Sequence, residues 1–267
     1  MKKIGVWFMF LFCTNLSFGQ EIDSNQIFPK LPQLALMIAN NGSGINVRYV
    51  NKLISVEVSS YLLEENGEQV KNREFSFGLI YVNAKEDHDN HVHNFRIGYV
   101  DRKMVNALWS FDEQLIIAPV TARLNGLFLA YQYRFLAMAE KPYSMFREIN
   151  LNPRILYLKE EGKANVTTVN FISNFLLCGV RLGAGGMEIN PSVHFGLDSR
   201  EINRFQMGMS YGIGLHLRGY DYQKYYASDI ISLEYISGNQ ASRSVSSYRL
   251  TINIFGVIDF FKRRSLN

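Results

Sequence analysis

Cysteine is nearly absent. Of 267 residues only Cys13 and Cys178 are cysteine. Cys13 falls in an N-terminal segment read below as removable, so Cys178 is left alone and a disulfide-stapled fold is excluded. Long apolar runs are also missing. Past the first twenty residues none reaches 18, which excludes a transmembrane helix. Nor is there an excess of one charge. The 28 Lys and Arg, less Lys2 and Lys3, stand against 24 Asp and Glu, which gives no case for nucleic acid. Motifs that announce chemistry are missing too: there is no GxSxG, HExxH, CxxC or Gly-rich phosphate loop. Proline is scarce at six residues, while Tyr (15) and Phe (19) are plentiful.

What is present begins with a leader. Lys2 and Lys3 precede the apolar run Ile4 to Phe12, and Ser17-Phe18-Gly19 puts small residues at −3 and −1 before Gln20. This predicts a cleaved signal peptide over 1–19. Phe12 before Cys13 does not fit a lipobox. Residues 20–32 have no period and read as a periplasmic lead-in.

The rest is organised like Phe205 to Tyr220, FQMGMSYGIGLHLRGY. Phe205, Met207, Met209, Tyr211, Ile213, Leu215 and Leu217 alternate with Gln206, Gly208, Ser210, Gly212, Gly214, His216 and Arg218. Period 2 gives a strand one apolar and one polar or tiny face, and it scatters apolar residues around a helix. The run is long for a soluble strand and long enough to cross a bilayer at a tilt. The same design recurs in Ile45-Val47-Tyr49, Ile54-Val56-Val58, Phe75-Phe77-Leu79-Tyr81, Phe95-Ile97-Tyr99, Ile149-Leu151-Ile155-Tyr157, Val193-Phe195-Leu197, Ile231-Leu233-Tyr235 and Tyr248-Leu250-Ile252-Ile254.

Turns are expected at Asn40 to Gly44, Asn51-Lys52, Glu65-Asn66-Gly67, Glu160 to Lys163 and Gly183 to Gly186. Asn125-Gly126 is read as a hairpin feeding Leu127, Leu129, Tyr131, Tyr133 and Phe135. Asn83 to His91, Ala139 to Phe146 and Gly238 to Ser247 are read as polar loops. Leu115 to Leu124 is a strand of unfixed phase with Pro119 inside it, and Pro153 predicts a bulge or break. Asp221 to Tyr226, polar and aromatic together, suits an aromatic girdle at a membrane rim. The expected fold is all-β: one closed antiparallel transmembrane β-barrel over 33–261, of about 12 strands with 10 as the alternative, and a polar tail at 262–267.

A signal followed by GINVRYVNKLISVEVSSYL resembles the early hairpins of small outer-membrane β-barrels of gram-negative bacteria, of the outer membrane protein X type. Gly44 to Tyr49, the tight Asn51-Lys52 turn and the aromatic-ended last strand carry the resemblance. Lys262 to Asn267, trailing past Phe261, departs from the terminal Phe common in such barrels. The resemblance implies residence in the outer membrane, with its lipids and the barrel assembly machinery as partners. It fixes no activity.

Alternation turns Arg48, Arg96, Arg134, Arg154, Arg218 and Arg249 toward the lumen, with Glu57, Glu74 and Glu234. A plugged lumen is expected if they pair, and an anion-leaning porin-like passage if some stay free. His194 with Ser192, and His216 with Ser210, share the polar face and are the candidates for a rim hydrolase. The bland reading is wet interior histidines. Asp87-His88-Asp89-Asn90-His91-Val92-His93 is the densest set of metal-type ligands, read as a solvated turn. No catalytic residue, metal site or cofactor is assigned. A structural or surface-loop interaction role is expected, with an extracellular ligand as a further partner; the alternatives are a small pore and a lipid- or peptide-acting hydrolase.

Overall fold

The computed structural model describes residues 32–65, 68–83, 90–106, 120–137, 145–160, 165–182, 186–201, 205–220, 227–240 and 243–264. The leader, most of the lead-in, Pro119, Asp221 to Tyr226 and the last three residues lie outside these.

Strands account for nearly all of the described chain. They are β1 (Gln33–Ala39), β2 (Gly42–Val50), β3 (Ile54–Glu65), β4 (Glu68–Asn83), β5 (Asn90–Asn106), β6 (Val120–Leu136) and β7 (Phe146–Glu160). They continue with β8 (Asn165–Leu177), β9 (Val180–Leu182), β10 (Met187–Glu201), β11 (Phe205–Tyr220), β12 (Ala227–Gln240) and β13 (Arg243–Asn253). One helix follows, α1 (Ile254–Arg264).

Strands consecutive in the chain pair antiparallel, β8 and β9 excepted, and β1 closes on β13 from Ala35↔Asn253 to Ala39↔Arg249. β8 and β9 both pair with β10 and form one stave interrupted at Cys178 and Gly179. The barrel therefore has twelve staves, the even number that such barrels carry. At the interruption the Gly179 amide donates to Glu188 Oε1 at 2.9 Å, and a Cβ on Gly179 would stand 1.7 Å from the Ile189 carbonyl oxygen.

Every stave exposes large apolar side chains on its outer face. Ile213 is 67% exposed and Leu129 61%, and Ile38, Tyr49, Val58, Phe75, Phe95, Tyr157, Val169, Val193, Leu233 and Tyr248 are exposed with them. The barrel thus wears an apolar band that water would penalise and hydrocarbon would not. β11 covers the stretch from which the alternation was first read, and its glycines Gly208 and Gly212 are buried on the opposite face.

The interior is layered. The near end is taken here as the one where the chain enters at Gln33 and leaves at Asn253. Close to it, Val50, Ile80, Val92 and Leu136 form an apolar cluster. Toward the far end, Val100, Leu124, Phe128, Ala130, Leu156 and Leu158 form a second. Along β5 the order Val92, Asn94, Arg96, Gly98, Val100 places a polar layer between them.

Four expectations change. Asn125 and Gly126 are not a hairpin. They sit inside β6, paired with Asp101 and Val100 on one side and with Lys159 and Leu158 on the other. Gly126 is there for close approach: a Cβ would meet Tyr157 O at 2.0 Å. Gly238 to Gln240 and Arg243 to Ser247 are strand and not loop, since Gly238↔Val245, Asn239↔Ser244 and Gln240↔Arg243 continue the sheet in polar sequence. The Asn83 to His91 connection is shorter than read, because β5 starts at Asn90. The alternation read toward Phe261 stops at Asn253, whose Oδ1 accepts the Gly256 amide at 2.9 Å and caps α1. Pro153 leaves β7 in register, but pairing with β6 stops at Ala130↔Arg154 and resumes at Tyr133↔Leu151.

Candidate functional site

The candidate site is the polar layer of the interior, built from side chains that alternate with the outer apolar row. Arg48 on β2 donates from Nη2 to Gln132 Oε1 on β6 at 3.2 Å. β2 and β6 are not neighbours, so this bond is a chord through the lumen. Arg96 on β5 spans two directions: Nη1 donates to Glu57 Oε2 on β3 and Nη2 to Asn152 Oδ1 on β7, both at 2.9 Å. Glu57 Oε1 also accepts from Asn46 Nδ2 at 2.8 Å. Arg154 on β7 reaches Glu74 on β4 at 2.8 Å, and its guanidinium lies 4.3 Å from the Phe128 ring centroid.

Glycines make room for these crossings. A Cβ on Gly78 would stand 2.7 Å from Arg96 Cγ, and one on Gly98 would stand 2.4 Å from the Phe128 ring. Both glycines occupy inward positions, so small residues on one stave hold long side chains from another.

A second knot lies nearer the entry end. Glu148 on β7 takes Arg134 at 2.9 Å and Arg218, from β11, at 3.1 Å. Arg218 also lies 2.7 Å from the Asp229 carboxylate. Arg147, in a bulge of β7, pairs with Glu188 at 3.1 Å, and Glu188 Oε1 further accepts from Asn190 Nδ2 and the Gly179 amide. Glu148, Arg147 and Glu188 are absent from the residues singled out by sequence. Glu148 had a signal: it shares the parity of Asn150, Asn152 and Arg154, two residues upstream. Arg147 had none, because the bulge that turns it inward breaks the alternation. Glu148 narrows the basic bias expected of the lumen without removing it: with Arg147 and Glu188 added to the set, seven inward arginines stand against five glutamates.

The histidines bond to the serines in the opposite pairing from that expected. His216 Nε2 lies 3.0 Å from Ser192 Oγ and 3.6 Å from Glu234 Oε1. His194 Nε2 lies 3.4 Å from Ser210 Oγ, and its Nδ1 is 2.7 Å from Asn174 Oδ1. Register explains the exchange. His194 faces Gly212 across β10 and β11 and reaches the diagonal Ser210, while His216 faces Asn190 and reaches the diagonal Ser192, which itself faces Gly214. Acyl transfer at such a pair needs oxyanion donors. The amides of β8, β10 and β11 around these groups lie within paired sheet, so the contacts are those of a satisfied wall. Arg249 stands opposite Glu234 in the register and donates from Nε to Ser247 Oγ at 3.4 Å.

His91 and His93 share the outer face of β5. Their Nδ1 atoms each lie 2.7 Å from a phenol oxygen, Tyr133 and Tyr131 respectively. Among the described residues no group of three His, Cys, Asp or Glu is placed to hold a metal ion; Asp87, His88 and Asp89 lie outside them.

No protein-family model and no curated protein matches the chain. Among solved structures it is similar to the KdgM porin, at 8% identity and TM-score 0.42 over 83% of this chain and 96% of that one. It is similar to the beta domain of the Bordetella autotransporter BrkA, at 12% identity and TM-score 0.41 over 83% and 98%. A loop-deletion mutant of OmpT, an outer membrane protein of Vibrio cholerae, follows at 7% identity and TM-score 0.33 over 83% and 96%.

Proposed function

We infer that the chain is an outer-membrane β-barrel whose interior is filled, and that it acts as a scaffold through its surface. The supporting observation is the set of chords. Arg48–Gln132, Arg96–Glu57 and Arg154–Glu74 tie non-adjacent staves together between two apolar clusters, and Arg218–Glu148 does so nearer the entry end. Charges paired in this way and flanked by Phe128, Leu156 and Val92 support a closed lumen on that side, with Glu57 and Glu74 keeping 23% and 20% of their side chains exposed. Membrane residence is supported by the apolar band on all twelve staves and by the leader read from the sequence. The closer likeness to the outer membrane protein X type is supported locally, by β2 and the short turn after it, where Asn51 Oδ1 accepts the amides of Leu53 and Ile54.

One observation favours a second reading, a narrow passage. The wall of β10 to β13 carries small groups, Ser192, Gly196, Gly212, Gly214, Ser232 and Ser247, with Glu234 a quarter exposed among them.

The test of membrane residence is extraction and gel mobility. The protein is expected to leave the outer-membrane fraction only with detergent, and to migrate differently until boiled. A protein recovered without detergent, with one mobility, would place this sheet in the periplasm.

A further inference from the structure

We propose that α1 is a membrane-surface anchor that lies on the leaflet at the near end of the barrel and holds anionic phospholipid headgroups. This rests on the reading of the barrel as membrane-spanning. No linker separates α1 from the wall: Asn253 is the last residue of β13 and also caps the helix. The outward row of β13 ends at Ile252, so the helix leaves at the level where the apolar band ends. It packs on the flanking staves β1 and β12, and Gly256 comes so close to Asp229 that a Cβ would stand 2.2 Å from its carbonyl oxygen. The helix is therefore fixed to the rim and does not trail from it.

Two features of α1 fit a headgroup layer. Ile254, Ile258 and Phe261 fall at i, i+4 and i+7, on one face, and exposure grows along that stripe, to 37% at Ile258 and 61% at Phe261. The last turn carries Lys262, Arg263 and Arg264 in succession, against the single acid Asp259 in the helix. An exposed apolar stripe ending in clustered cations is the chemistry of a helix lying in an anionic interface. At about 1.5 Å per residue the helix extends roughly 16 Å along the rim.

The experiment uses Phe261→Trp in the full chain, with Trp7 and Trp109 both changed to Phe. It is refolded into vesicles of phosphatidylcholine alone or mixed with phosphatidylglycerol, each with and without brominated acyl chains. In the anionic vesicles the Trp emission is expected to be blue-shifted and quenched by bromine. Changing Lys262, Arg263 and Arg264 together to Ser should return both signals toward those in phosphatidylcholine. Water-like, unquenched emission in anionic vesicles would overturn the proposal and leave the stripe to a protein. Quenching indifferent to lipid charge and to the three substitutions would overturn the choice of anionic headgroups. The heat-modifiable band, read on the same samples, separates the two levels: with the band present only the anchor fails, and with it absent the barrel reading fails as well.

Discussion

Glu148 is the interior carboxylate that takes two arginines. Its two oxygens take Arg134 and Arg218, the latter with only 4% of its side chain exposed. Glu148→Gln leaves Arg134 without its carboxylate and Arg218 with Asp229. Removing one partner of a buried pair costs about 3–5 kcal/mol, so the urea midpoint of vesicle-refolded protein should fall markedly. Glu234→Gln is the control: its carboxylate is a quarter exposed and 3.6 Å from His216, and the expected change is at most about 1 kcal/mol. Equal midpoints for the two variants would mean that the Glu148 knot is hydrated. Gly44 makes a packing prediction of the same kind. A Cβ there would stand 2.1 Å from Tyr61 Cδ1, and the three nearest atoms all belong to that ring. Gly44→Ala should destabilise by about 1–3 kcal/mol through overpacking. Tyr61→Ala in the same chain should recover part of the loss, a coupling that thermal melts of the four variants can read.

At the scale of the element, β6 shows where sequence reading succeeds and where it stops. The outward row Leu127, Leu129, Tyr131, Tyr133 and the inward Gln132 and Arg134 were legible from period 2, since one face meets an apolar medium and the other a polar lumen. Asn125-Gly126 was misread because the dipeptide that suits a type I′ turn also suits a strand whose neighbour passes very close, and only the partner strand distinguishes them. Asn125→Val tests this. Inside a strand a β-branched residue is well accommodated, and stability should stay within about 0.5 kcal/mol; at a turn position needing positive φ it would impair folding. Phe128, Leu156 and Leu158 were illegible as interior residues for a related reason. They are apolar like the outer row, so hydrophobicity alone assigns them no face. The polar extensions of β12 and β13 read as loop because strands beyond an apolar band no longer have a greasy side to reveal them.

For the whole molecule, closure depends on the pairing of the first and last strands, which no local pattern encodes. Ten alternating segments, within an expected count of about twelve strands, made a barrel legible, and the seam between the first and last strands then followed from the rule that no strand edge be left open. The seam can be probed directly. Met37 and Thr251 are register partners, so Met37→Cys with Thr251→Cys, in a chain carrying Cys178→Ser, should oxidise to a cross-link that joins the first stave to the last. A pairing of Met37→Cys with Asn239→Cys, on β12, should not. The proposed filling of the interior by chords and two apolar clusters has a functional consequence at the same scale. The decisive measurement is ion conductance of the purified, heat-modifiable protein in planar bilayers at high salt. A filled interior predicts silence at every applied voltage. Steady, reproducible conductance steps would contradict it and would assign the small-residue wall of β10 to β13 to a working passage.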